Sequence, residues 1–163
     1  MAAAPVRRRM EPDTTRIPDA LFAEFTARLP EVCVELVLRL DGGVLLVRRT
    51  NEPARGEWFW PGSRLYKGER LDAAARRVGA EELGLAVDLE GQLGVSEHFW
   101  ETSAVVGAPS RHTVNVVYAA SPTADSPAVE LDDQHDAWRV LDEPEAGLHA
   151  YVRGYVDRFG LLS

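Results

Sequence analysis

Apolar residues fall at Ile17, Leu21, Phe22, Phe25 and Leu29, the three-to-four spacing of one helical face. That spacing predicts a helix over residues 17–29, which Pro30 stops. Residues 32–40 and 44–48 are two β-rich runs joined by Asp41-Gly42-Gly43, a hairpin signal because a tight turn needs positive φ. A polar stretch then leads to the aromatic strand Trp58-Phe59-Trp60, broken by Pro61-Gly62. Leu71, Ala74, Ala75, Val78 and Leu83 mark the apolar stripe of a helix over 70–83. Gly84 stands where a helix end takes a left-handed residue. Strands are predicted over 86–99 and 112–120, a loop over 122–127, a short strand over 137–141 and a last helix over 148–159. Strands and helices interleave without repeats, so the class is α/β or α+β. The expected organisation is a disordered tail, 1–14, followed by one domain over 15–163.

Composition narrows the function classes. The chain has 163 residues, 45% of them hydrophobic, enough for one buried core. No apolar run is long enough to span a bilayer. The arginines Arg7, Arg8 and Arg9 are not followed by an apolar segment of signal-peptide length. The expectation is therefore a cytoplasmic protein without a membrane partner. A net charge of −8 opposes non-specific nucleic-acid binding, because the phosphate backbone would be repelled. The single cysteine, Cys33, excludes an internal disulfide and reads as a small buried hydrophobe between Val32 and Val34.

The informative stretch runs from Pro61 to Leu85. A glycine loop leads to Glu69, then to a helix that carries Glu81 and Glu82 near its end. Adjacent helical residues stand about 100° apart around the axis. Several carboxylates in this region suit a hard ion such as Mg²⁺, which takes oxygen ligands from protein and substrate. Taken alone, Glu-Glu at a helix end is more often a solvated surface pair.

The surrounding pattern resembles the Nudix box, G-x5-E-x7-R-E-U-x-E-E-x-G-U, where U is a bulky aliphatic residue. Glu69, Arg77, Glu81, Glu82, Gly84 and Leu85 occupy motif positions. Ser63 stands in place of the leading glycine, Val78 in place of the first helical glutamate and Gly79 in place of the aliphatic residue. In ordinary Nudix enzymes the glutamate missing at Val78 is a principal metal ligand. The resemblance implies a Nudix-type α/β/α sandwich with a mixed β-sheet, and a divalent cofactor, Mg²⁺ with Mn²⁺ as a substitute.

Arg49-Thr50-Asn51, Pro53, Gly56, Trp58-Phe59, Glu82-Leu83-Gly84-Leu85, His98-Phe99 and Asp133-Gln134-His135-Asp136 are similar to the GDP-mannose mannosyl hydrolases. That subgroup also has a degenerate box and adds water to the anomeric carbon of the sugar, with inversion. The resemblance implies Mg²⁺ held by the Gly62 carbonyl, Glu82 and Gln134, and His135 as the general base. Arg49 and Arg64 would hold the diphosphate, with Arg64 serving the leaving group. Glu35, in place of an aspartate, and His98 would contact the substrate. Thr113 stands where the subgroup has a tyrosine. The implied partner is a nucleotide sugar, and the implied assembly is a homodimer.

The chemistry is coherent on physical grounds. A nucleoside diphosphate is a good leaving group once arginine and a metal ion neutralise it. Cleavage at carbon then needs a base that activates water on the opposite face, and histidine has a suitable pKa. A P–O-cleaving pyrophosphohydrolase acting on ADP-ribose, a nucleotide sugar or a modified nucleotide is the first alternative. Glu81, as an extra carboxylate, favours it and Val78 opposes it. The second is a nucleotide-binding module without turnover. Two bland readings stand beside these: His149 as a solvated histidine, and Trp58, Phe59 and Trp60 as core.

Overall fold

The apolar run that follows Pro30 is buried on both faces: Val34, Leu36, Val37 and Leu38 are each 0% exposed, the signature of a central strand. The computed structural model describes residues 10–162. In chain order these form α1 (Asp19–Arg28), β1 (Glu31–Leu40), β2 (Gly43–Arg49), β3 (Trp58–Phe59), β4 (Gly62–Arg64), α2 (Leu71–Leu83), β5 (Val87–Trp100), β6 (Arg111–Pro122), β7 (His135–Leu141) and α3 (Ala150–Phe159). The strands make a mixed seven-stranded sheet ordered β3-β2-β1-β6-β5, with β4 on β1 and β7 on β2. β1 and β6 run parallel and the other pairs antiparallel.

Alternation along β1 and β2 sends side chains into two cores. On one face Val34, Leu36, Leu38, Leu45 and Val47 pack against Ala74, Ala75, Val78 and Leu83 of α2. On the other, Val37, Val44 and Leu46 pack against Val152, Tyr155 and Val156 of α3. The expected α/β/α layering holds. Among the described residues no helix is long and apolar enough to cross a membrane.

The β1–β2 turn takes positive φ at Asp41 and Gly42, the two-residue geometry that suits the twist of a hairpin. Gly84 caps α2 in the left-handed region, its N–H bonding back to Ala80 and Gly79, as the sequence predicts. Several boundaries differ from the sequence reading. The three-residue strand β4 is unanticipated, because its hydrogen bonds come from β1 and not from a local pattern. β7 starts at His135, so this residue opens a strand instead of sitting in a loop. Within the segment expected as a tail, Asp13 bridges to Lys67, and residues 1–9 lie outside the described residues.

Helix α1 corrects a further expectation. It buries Ala23 and Thr26, whereas Leu21, Phe25 and Leu29 of its predicted apolar face are 47%, 40% and 57% exposed. The stripe has helical spacing, but the fold does not cover it.

Candidate active site

β2 pairs with β1 only at Leu40↔Gly43 and Arg39↔Val44. Further along β1, the short β4 takes its place beside Cys33, Val34 and Glu35. The two strands thereby splay apart, and a cavity of about 220 Å³ opens between them. Its walls carry Glu35 from β1, Arg49 from β2, Gly62, Ser63 and Arg64 from β4 and Glu82 from α2. His98 and Trp100 from β5, Arg111, Thr113 and Asn115 from β6, and Gln134 also line it. Seven of the sequence-predicted residues thus share one cavity: Gly62, Arg64, Glu82, Gln134, Arg49, Glu35 and His98. His135 and Glu81 are not among the lining residues.

Glu82 is buried and its carboxylate accepts a hydrogen bond from the Gly62 N–H at 2.9 Å. Burial pushes its carboxyl up to about 8, helped by the charge of Asp132 and opposed by the Gly62 bond and by Arg49 and Arg77. A side chain at position 62 would have its Cβ 2.8 Å from Glu35 Cγ and 3.0 Å from the Val34 carbonyl oxygen. Only glycine lets the loop backbone approach this closely.

Arg77 ties the rest of the box together. Arg77 donates from Nε and Nη2 to Glu69 at 2.7 and 2.9 Å. It reaches Ser63 Oγ at 2.8 Å, the Arg64 carbonyl at 2.9 Å and Glu81 at 3.2 Å. Burial would raise the Glu69 carboxyl, but Arg77 and the Tyr66 N–H outweigh it and hold that group below the usual range. Glu69 and Glu81 therefore already have a cationic partner. The three departures from the motif now have physical reasons. The Ser63 hydroxyl accepts from Arg77. Val78 is 0% exposed, within the core between α2 and β1. A Cβ on Gly79 would lie 3.0 Å from Val87 Cγ1, because α2 packs tightly on β5.

His135 is 7% exposed, and its Nδ1 lies 2.7 Å from Asp132 Oδ1. An ionised carboxylate only accepts, so Nδ1 carries the proton and Nε2 is left as a lone-pair acceptor. Burial, assisted by Arg49, lowers the imidazole pKa against the pull of Asp132. The same Asp132 oxygen accepts from the Gln134 N–H at 3.1 Å. His135 is next to Gln134 in the chain and paired with Arg49 across the β2–β7 ladder, beside a register shift, and both of these neighbours line the cavity.

From the buried side of α3, Tyr155 Oη donates to Glu35 Oε2 at 2.5 Å and lies 3.2 Å from His98 Nε2. Burial lifts the Glu35 carboxyl to about 7, against the Tyr155 bond and Arg49. Burial, with His149 nearby, drops the His98 imidazole to about 4. Arg49 donates to the Pro53 carbonyl at 2.7 Å. Arg64 lies over the rings of Phe22 and Tyr66 at 5.5 and 5.1 Å. The Cys33 thiol is pushed up to about 12 by burial, which suits the buried-hydrophobe reading and not a nucleophile. His149 is no mere solvated side chain: it caps α3, accepting from the Tyr151 N–H at 3.1 Å. Phe59 and Trp60 are core at 3% and 1% exposed.

Sequence reasoning missed Arg111, Asn115, Asp132 and Tyr155. A signal existed for two of them. Arg111, Thr113 and Asn115 are polar at every second position of β6, which places them on one face of a strand. Tyr155 carries no such signal, since its spacing within α3 is that of a core residue.

Among the described residues no three His, Cys, Asp or Glu side chains gather as a metal site. Glu82 nonetheless fits a hard divalent ion. It is a buried carboxylate that accepts from a backbone N–H, and Gln134 lines the same cavity with an amide oxygen to offer.

The NUDIX domain family pattern matches residues 28–159. The chain belongs to the Nudix hydrolase superfamily. It is 46% identical over 151 residues to the low-salt glycan biosynthesis protein Agl8 of Haloferax volcanii, covering 93% of this chain and 96% of that one. It is 30% identical over 89 residues to an ADP-ribose pyrophosphatase of Methanocaldococcus jannaschii, spanning 55% of this chain and 49% of that enzyme. Among solved structures, the MutT Nudix hydrolase of Burkholderia pseudomallei matches with a TM-score of 0.63 at 30% identity, covering 80% of this chain and 98% of that one. The fold is the Nudix α/β fold, with a mixed sheet and three helices.

Proposed function

We propose that this Nudix hydrolase cleaves a nucleotide sugar of the GDP-mannose kind to nucleoside diphosphate and free sugar, with water attacking the anomeric carbon. The observation that carries this reading is the allocation of the box acids. Glu69 and Glu81 are paired with Arg77, position 78 is an apolar core residue, and Glu82 alone of the box carboxylates lines the cavity. One carboxylate with the Gly62 carbonyl and the Gln134 amide makes a set for a single ion, not for a multi-metal cluster. Mg²⁺, or Mn²⁺ in its place, would supply a Lewis acid that draws charge from the leaving diphosphate.

The chain's own residues account for the other requirements. Arg49 and Arg64 hold the diphosphate oxygens. His135, its Nδ1–H fixed by Asp132, accepts the water proton at Nε2. The water oxygen bonds to the anomeric carbon, and the electron pair of the broken carbon–oxygen bond leaves with the nucleoside diphosphate. The Agl8 relative supports the substrate class: it is a glycan biosynthesis protein, and glycans are built from nucleotide-linked sugars. The functional unit in this reading is a homodimer, and the exposed Leu21, Phe25 and Leu29 supply an apolar surface for it.

The partial match to an ADP-ribose pyrophosphatase favours a second reading, cleavage at phosphorus. Incubation with Mg²⁺ and a panel of nucleotide sugars, followed by separation of the products, decides between the two. Nucleoside diphosphate plus free sugar is expected. Nucleoside monophosphate plus sugar phosphate would move the reaction to phosphorus.

A further inference from the structure

Glu35 Oε1 and His98 Nδ1 lie 3.7 Å apart on the cavity floor, too far for a hydrogen bond. The partner atoms of the same two side chains are tied together by a third residue. Tyr155 is 2% exposed and belongs to α3, far from the box in sequence. Its ring stacks on Trp60 at 5.7 Å and 16°, so its position is set by packing. Burial and the neighbouring Glu35 raise its hydroxyl pKa, so the proton stays on Oη.

A hydroxyl has one proton to give. With Glu35 ionised, Tyr155 gives it to Glu35 Oε2, and its contact with His98 Nε2 at 3.2 Å is then one in which it accepts, with the proton of His98 on Nε2. The lone pair of His98 then sits on Nδ1, beside Glu35 Oε1. Two acceptors side by side, with no donor between them, form a place for a ligand that brings donors. The hydroxyls of a sugar do so, and a phosphate oxygen does not.

We propose that Tyr155 is a positioning residue for the sugar end of the substrate, orienting Glu35 and His98 so that Glu35 Oε1 and His98 Nδ1 accept hydrogen bonds from sugar hydroxyls. This rests on the nucleotide-sugar reading above. It makes the cavity floor the sugar subsite and leaves the nucleoside diphosphate to Arg49 and Arg64.

The test uses Tyr155→Phe, which keeps the stacked ring and removes only the hydroxyl. The expected result is a rise of tenfold or more in the nucleotide-sugar dissociation constant, with nucleoside diphosphate binding within twofold of wild type. Equal loss for both ligands, or no loss for either, overturns the proposal. Nitrogen NMR of the His98 imidazole in the wild-type protein is the second measurement and needs no substrate or variant. An Nε2–H tautomer is expected, and an Nδ1–H tautomer overturns the proposal even if Tyr155→Phe fails to fold. If wild type gains nothing from the sugar over the bare nucleoside diphosphate, the nucleotide-sugar reading fails and the sugar subsite falls with it. The tautomer then still reports separately on the Tyr155 hydrogen bonds.

Discussion

Position 78 decides how the site is read, and its side chain is an apolar one in a filled core. Restoring the motif glutamate there would bury a carboxylate among Val34, Leu36 and Leu83. Val78→Glu is expected to cost about 3 kcal/mol of stability or more, with no gain in metal affinity. Urea denaturation and Mg²⁺ titration check it, and tighter metal binding at near-normal stability would contradict it. His135 carries the complementary prediction. His135→Ala is expected to lower kcat by roughly 10² to 10⁴, the range of a lost general base, while nucleoside diphosphate affinity is retained. Turnover close to wild type would remove His135 from the reaction. At this scale the sequence was legible where a motif existed. Gly62, Glu82, Arg49, Arg64 and Gln134, named from the resemblance, line one cavity. Glu81 lies outside the lining of that cavity, and an acid in a motif position does not reveal that Arg77 donates to it. Asp132 and Tyr155 were illegible, since their partners are fixed by strand register and helix docking.

Elements were read with uneven success for a common reason. α2 and its Gly84 cap follow from local chemistry, and the structure agrees within a residue. β4 has three residues and no pattern of its own, and only β1 makes it a strand. α1 is the instructive failure: periodicity gave the helix but not what covers its stripe. In the homodimer proposed above, a second copy of the chain would cover that stripe. Replacing Phe25 and Leu29 by serine together is expected to shift a wild-type dimer to monomer in sedimentation velocity, with little effect on the folding of each protomer. A wild-type protein that sediments as a monomer would contradict the assignment.

The molecule as a whole buries titratable groups at its site, and stability should record this. The raised carboxyls of Glu82, at about 8, and Glu35, at about 7, keep protons that the unfolded chain releases near 4.5. Their contribution is complete below that unfolded value and is lost as pH rises through the folded values. His98, lowered from 6.5 to about 4, acts in the opposite sense, but only below 6.5. Between pH 6.5 and 8 the metal-free protein is therefore expected to lose thermal stability. Mg²⁺ binds the deprotonated form of Glu82, so its stabilising increment is expected to grow over the same window. Calorimetric Tm values with and without Mg²⁺ measure both, and a metal-free Tm that rises from pH 6.5 to 8 would contradict the burial account.

Isotope labelling identifies the bond that breaks. Hydrolysis of a nucleotide sugar in ¹⁸O-water with Mg²⁺, followed by mass spectrometry of both products, locates the entering oxygen. The account expects the label in the free sugar and none in the nucleoside diphosphate. Label in a phosphate group would contradict it and place this chain with the Nudix enzymes that attack phosphorus.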